Sequence, residues 1–139
     1  MMKVVYLESS ALLNWLLGQS SAAEVRRAVD RAEVVLTSKL TLTEAERALL
    51  RAESQGVLRG GDAQRVRGLL NRAQASWTRM AVSDEVLHRA SRPFPIEPVR
   101  TLDAIHLATA LEFTATFPDL RVLSFDSRVS NNAEALGIA

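Results

Sequence analysis

Apolar and polar positions alternate in blocks that predict short strands separated by amphipathic helices. Val4-Val5-Tyr6-Leu7 is a continuous apolar run, as expected of a central strand buried on both faces. Ser9 or Ser10 is placed to cap a helix carrying Leu12, Leu13, Trp15, Leu16 and Leu17, and Gly18 ends it. The pattern then predicts a helix over about Ala22 to Arg31, a strand over Val34 to Thr37 and a long helix from about Leu42 to Gln55. After Gly56, Gly60 and Gly61, Asp62 is a cap for a helix on which Val66, Leu69, Leu70 and Ala73 recur at helical spacing. Trp77 to Val82 reads as a third strand, and Ser83 caps a short helix through Leu87. Pro93, Pro95 and Pro98 enforce a non-helical loop. Thr101 caps a helix to about Phe113, Leu120 to Phe125 forms the fourth strand, and a last helix ends at Gly137. Alternation of this kind predicts an α/β domain around a mainly parallel sheet. No repeat, low-complexity segment or linker divides it, so residues 1–139 are expected to form a single domain.

Composition narrows the chemistry. With 47% apolar and 24% charged residues the chain can bury a sizeable core. No apolar run approaches the roughly 20 residues that cross a bilayer, and Glu8 interrupts the N-terminal apolar stretch before a signal-peptide core could form. A soluble cytoplasmic protein is the expectation. Cysteine is absent, which excludes disulfides, thiolate metal sites and cysteine nucleophiles. Any metal is therefore held by oxygen or imidazole. Seventeen basic against 16 acidic residues give +1, a balance that announces no nucleic-acid partner by itself. All basic residues but Lys3 and Lys39 are arginine.

In open parallel sheets ligands bind beyond the carboxyl ends of the strands, and four acidic residues fall there. Glu8 ends the first strand, Glu44 lies in the first turn of the helix after the second, Asp103 lies in the first turn after the proline loop, and Asp126 follows the fourth strand. Two carboxylates about 4 Å apart repel by roughly 4 kcal/mol at an effective dielectric near 20. Either a raised pKa or a divalent cation must relieve that repulsion, and Mg²⁺ or Mn²⁺ suits an all-oxygen site. Such a site matches metal-assisted phosphodiester hydrolysis. Each residue also has a purely structural reading. Thr41-Leu42-Thr43-Glu44 has the form of a capping box, Asp103 suits a helix macrodipole, and Asp126 suits a turn or cap. Glu8 is harder to explain structurally, because a carboxylate between a buried strand and an apolar helix needs a partner.

At these residues the chain resembles the PIN-domain ribonucleases, and specifically the VapC-type toxins of bacterial toxin and antitoxin pairs. Tyr6-Leu7-Glu8-Ser9-Ser10-Ala11-Leu12 is similar to the opening motif, in which a strand delivers the first acidic residue to a serine or threonine and a helix. Ser38 to Glu44 resembles the second motif, whose glutamate faces the metal. Thr101-Leu102-Asp103-Ala104-Ile105-His106-Leu107-Ala108-Thr109-Ala110 is the most specific match, and Leu123 to Arg128 with Ala133 to Gly137 completes the order. The resemblance spans nearly the whole chain. It implies a three-layer sandwich with a central mainly parallel sheet of four or five strands, since many relatives add an edge strand after the last helix. It further implies a Mg²⁺- or Mn²⁺-dependent endoribonuclease, the toxin of a type II toxin-antitoxin system, in which Glu8, Glu44, Asp103 and Asp126 hold the metal and water is directed at an RNA phosphate. A homodimer and a cognate antitoxin are the implied partners.

One departure bears on activity. The family usually has aspartate where this chain has Glu8, and the extra methylene moves the carboxylate by about 1.5 Å, a large step for an ion as strict in geometry as magnesium. The rival reading is a catalytically impaired PIN-like module that binds protein or RNA. A DNA nuclease on the same scaffold is a third. Glu8→Asp preserves or raises activity in Mg²⁺ if the longer arm is a handicap, and a sharp loss means that the pocket is shaped around glutamate. His106, three residues after Asp103, reads as structural, and Ser9, Ser10 and Ser124 read as groups that orient the acidic residues. Trp15 and Trp77 read as core or interface aromatics. Arg47, Arg51 and Arg100 are the candidate positive charges for RNA, although Arg47 and Arg51 also suit ordinary ion pairs along one helix face.

Overall fold

The computed structural model describes residues 3–139. Its strands β1 (Val4–Leu7), β2 (Val34–Ser38), β3 (Thr78–Met80) and β4 (Arg121–Leu123) form one sheet in the order β3-β2-β1-β4. Every pairing is parallel: Val5 lies opposite Val35 and Arg121, and Leu36 opposite Thr78. The sheet thus has four strands among the described residues, within the expected range and wholly rather than mainly parallel. On the outer edge of β4 the Val122 amide donates to the Ile138 carbonyl at 2.7 Å, so the segment after the last helix satisfies a strand donor without forming a strand.

Helices α1 (Ser9–Leu16), α2 (Ala22–Arg31), α3 (Lys39–Ser54), α4 (Asp62–Gln74), α5 (Asp84–Ala90), α6 (Thr101–Phe113) and α7 (Ser127–Ala135) cover both faces. Alternation along the central strands explains the two layers. Val4, Tyr6 and Leu36 point into a core with Leu107, Ala110, Phe113, Val129 and Ala133 of α6 and α7. Leu7 and Val35 point the other way, into a core with Leu12, Val25, Leu49, Val66, Leu70 and Trp77. The architecture is the expected three-layer sandwich. Trp15 and Trp77 meet in the second core with ring centroids 6.5 Å apart. Helix α6 is buried almost all round, which is why its sequence lacks an amphipathic stripe.

Several local expectations are corrected. Helix α1 is capped by Glu8 itself, whose carboxylate accepts from the Ser10 amide, and not by Ser9 or Ser10. Helix α3 starts three residues earlier than expected, with Ser38 as cap, its hydroxyl oxygen accepting from the Leu40 amide. Thr41 therefore lies inside the helix, no capping box exists, and Glu44 sits in the second turn instead of the first. Gly61 and Arg100 occupy the cap positions assigned to Asp62 and Thr101, each helix having absorbed the polar residue as its first member. Strands β3 and β4 are shorter than expected because both are edges, where one side lacks a partner strand. Ser83 caps α5 as expected, but that helix continues to Ala90.

Candidate active site

The chain runs β1, β2, β3 outward to one edge and then returns to place β4 on the other side of β1. The crevice at the carboxyl ends of β1 and β4 is therefore the switch point of the sheet, where ligands of such folds bind. Glu8 directly follows β1, and Asp126 follows β4 by three residues. Glu44 comes from α3, which leaves β2 without a loop, and Asp103 from the first turn of α6.

Glu8 is 4% exposed and fully engaged. Its Oε1 accepts from the hydroxyls of Ser10 and Ser124, both at 2.5 Å, and its Oε2 accepts from the Ser10 amide at 2.9 Å. The serine hydroxyls thus join the ends of β1 and β4 through one carboxylate. Ser9, one residue earlier, serves a different acid: its hydroxyl donates to Oε1 of Glu44 at 2.5 Å. His106 reaches the same Glu44 oxygen through Nε2 at 2.6 Å and meets the Tyr6 hydroxyl through Nδ1 at 3.0 Å. Burial pushes the Glu44 carboxyl up, but the hydrogen bonds from His106 and Ser9 outweigh it, so the group titrates below the ordinary glutamate value.

Asp103 behaves in the opposite way. Burial and the nearby charge of Asp126 raise its pKa, Glu8 adds to the rise, and Arg100 only partly offsets it. Arg100 stands between the two aspartates, with Nε 3.5 Å from Asp103 and Nη2 3.7 Å from Asp126. Its side chain is 68% exposed, so these long contacts are weak and displaceable. The other oxygen of Asp126 caps α7 through the Arg128 amide.

The four predicted acids thus lie at one sheet edge in two groups. Asp103 feels the charges of Asp126 and Glu8, and Glu44 is tied to Ser9, the neighbour of the Ser10 that holds Glu8. Among the described residues no three His, Asp or Glu side chains already form a ligand set. The donor chemistry nonetheless fits a hard divalent cation: the carboxylates are oxygen donors, and the burial and repulsion that raise Asp103 are offset only by an exposed arginine. The orienting role read for Ser9, Ser10 and Ser124 matches their hydrogen bonds. Arg47 and Arg51 make no ion pair among the described residues; the α3 pairs instead run from Glu46 and Glu53 to Arg67 of α4. Sequence reasoning missed Tyr6 altogether and placed Arg100 only among general positive charges. The signal for Tyr6 was available, since a phenol in a buried run needs a partner. A cavity of about 520 Å³ bounded by Trp15, Val29, Leu69 and Trp77 contains none of the four acids.

A parallel sheet with serine-braced acids at its switch point defines a class of acidic-site α/β domains. The defining pattern of the PIN domain matches residues 5–135. Ribonuclease VapC46 of Mycobacterium tuberculosis is 33% identical over 138 residues, covering 99% of this chain and 96% of that protein. Ribonuclease VapC35 of the same species is 32% identical over 138 residues, covering 98% and 94%. The crystal structure of VapC20 from M. tuberculosis, described as a sarcin-ricin loop cleaving toxin, superposes with a TM-score of 0.65 at 16% identity, over 97% of this chain and 96% of that one. The chain belongs to the PIN domain family, and the relatives it matches along its whole length are VapC ribonucleases.

Proposed function

We propose that this protein is a metal-dependent endoribonuclease, the toxin of a type II toxin-antitoxin pair, acting in the cytoplasm as a homodimer held in check by a cognate antitoxin. The observation that carries the reading is the approach of Asp103, Asp126 and Glu8 at the switch point, where burial and then the neighbouring charges raise Asp103 and only the exposed Arg100 answers them. Whole-length identity to two ribonucleases supports the reaction class. None of the described helices is long and apolar enough to cross a membrane.

Asp103, Asp126, Glu8 and Glu44 would hold Mg²⁺ or Mn²⁺. When bound, such an ion polarises a phosphodiester and lowers the pKa of water. The chain's own contribution is placement. Ser10 and Ser124 keep Glu8 extended across the gap between β1 and β4, while Ser9 and His106 hold Glu44 ionised. Arg100, close to both aspartates and largely in solvent, is positioned to leave them for an RNA phosphate and to pair with it bidentately.

Cleavage of a structured RNA, compared with DNA of equal sequence, tests the proposal. Cutting of RNA that requires Mg²⁺ or Mn²⁺, stops with chelator and vanishes in Asp103→Asn supports it. Binding of RNA or antitoxin without cutting under either ion assigns the impaired-module reading instead.

A further inference from the structure

The buried chain of polar groups from Tyr6 to Glu44 is an arrangement that the proposed reaction leaves unexplained. Tyr6 and His106 are 0% and 1% exposed, in the heart of the layer between the sheet and α6. The Tyr6 hydroxyl lies 3.0 Å from Nδ1 of His106, with the hydroxyls of Thr109 and Thr41 also beside it. On the far side of the ring, Nε2 lies 2.6 Å from Oε1 of Glu44 and 3.0 Å from the Ser9 oxygen.

These distances fix where the proton sits. An Nε2 without hydrogen would set its lone pair against a carboxylate oxygen at 2.6 Å, so Nε2 carries the proton. The Ser9 hydroxyl already spends its hydrogen on the same Glu44 oxygen, so it cannot supply one to Nε2. With one proton on the ring, Nδ1 keeps its lone pair toward the phenol 3.0 Å away. Nδ1 is therefore the acceptor and the phenol its donor. Glu44 then has Oε1 held by two donors, and its Oε2 has no hydrogen bond among the described residues.

We propose that Tyr6 and His106 are positioning residues for the nuclease: Tyr6 holds His106 in the Nε2–H form, and His106 with Ser9 pins one Glu44 oxygen so that the other is presented free to the reaction. The inference rests on the reading of Glu44 as part of the RNA-cleaving site. Four elements, β1, α1, α6 and α3, are locked together to point one oxygen atom, in the way that groups behind a metal ligand commonly orient it.

Two experiments separate this inference from the nuclease reading. Long-range ¹H–¹⁵N spectra of the ion-free protein at neutral pH should show a pyridine-like Nδ1 and a pyrrole-like Nε2 for His106; a protonated Nδ1 overturns the inference and leaves the nuclease standing. In RNA cleavage, His106→Leu should lower kcat about 10-fold or more with little change in KM, and His106→Gln, which restores an N–H donor, should recover most of the loss. Equal kcat in folded Leu and Gln variants overturns it. Tyr6→Phe preserves the ring and removes only the hydroxyl, so it serves if the His106 variants do not fold. Its kcat should fall several-fold at unchanged KM, and a wild-type kcat overturns the inference. A wild-type chain that cuts no RNA overturns the nuclease reading and the catalytic role of these residues together, whatever the tautomer.

Discussion

At the scale of single residues, Glu8 and Asp103 make opposite predictions. The longer arm of Glu8 is used in full: it caps its own helix, accepts from Ser10, and crosses to Ser124 on the next strand's connection. An aspartate would still cap, because aspartate is a strong cap residue, but a carboxylate drawn back by about 1.5 Å gives up Ser124. Glu8→Asp is expected to lower cleavage about 10-fold and stability by about 1 kcal/mol, measured by kcat and by urea unfolding. Raised activity in Mg²⁺ would show that the pocket is not built around glutamate. Asp103, by contrast, is strained in the ion-free state, since its raised pKa means that folding disfavours its charge. Stability therefore falls as pH rises through its native pKa, from the ordinary 3.8 upward. Asp103→Asn should melt higher than the wild-type chain at neutral pH, and the gain should vanish in acid. Glu44 runs the other way: its lowered pKa stabilises the fold above about 4.5 and the benefit is lost as pH falls below it. Thermal melts of Glu44→Gln should accordingly show a deficit at neutral pH that closes in acid.

At the scale of elements, the proline loop before α6 shows how a loop without secondary structure is fixed. Asn132 of α7 is 1% exposed and grips the loop from both sides of Ile96, accepting from its amide at 2.9 Å and donating to its carbonyl at 3.0 Å. Glu97 accepts from the Phe94 and Val99 amides, both at 2.8 Å. This clamp sets where Arg100 and Asp103 enter the site. Asn132→Ala leaves two backbone groups without partners and is expected to cost about 2 kcal/mol, read by urea unfolding, with faster proteolysis near Ile96; unchanged unfolding would mean the loop is held by its prolines alone. None of this clamp was legible in the sequence, because residues 96 and 132 meet only through the packing of α7. The strand β1, helix α2 and the body of α6 were legible, because local apolar runs and helical spacing decide them. Caps after strands were less so: Ser83 was read correctly, but Glu8 displaced Ser9 and Ser10, and Ser38 displaced Thr41, since such a cap is chosen by where the preceding strand ends. Glu8, Glu44 and Asp126 could be placed at the sheet edge from strand ends and Asp103 from its helix start, whereas Tyr6 and His106 needed the third dimension to meet.

At the scale of the whole molecule, the parallel order is what concentrates charge. Strands that all run one way put their carboxyl ends at one edge, so acids far apart in sequence share it, although the net charge is only +1. The fold tolerates this because two cores, one on each sheet face, stabilise the sandwich independently of the edge. Stability and metal response should therefore be coupled through that edge. An ion that binds only the folded state at about 100 times its dissociation constant stabilises by about 2.7 kcal/mol, which for a chain of this size raises the melting temperature by roughly 8–12 °C. Mn²⁺ is expected to do so for the wild-type chain in the absence of RNA, and Asp103→Asn should lose most of that rise while starting from a higher ion-free melt. The pairing of those two signs is diagnostic: surface binding elsewhere would stabilise both proteins alike, and a purely structural Asp103 would give a variant that melts lower in both conditions. A variant that is more stable without the ion and indifferent to it identifies the buried charge of Asp103 beside Asp126 as the cost that the metal removes.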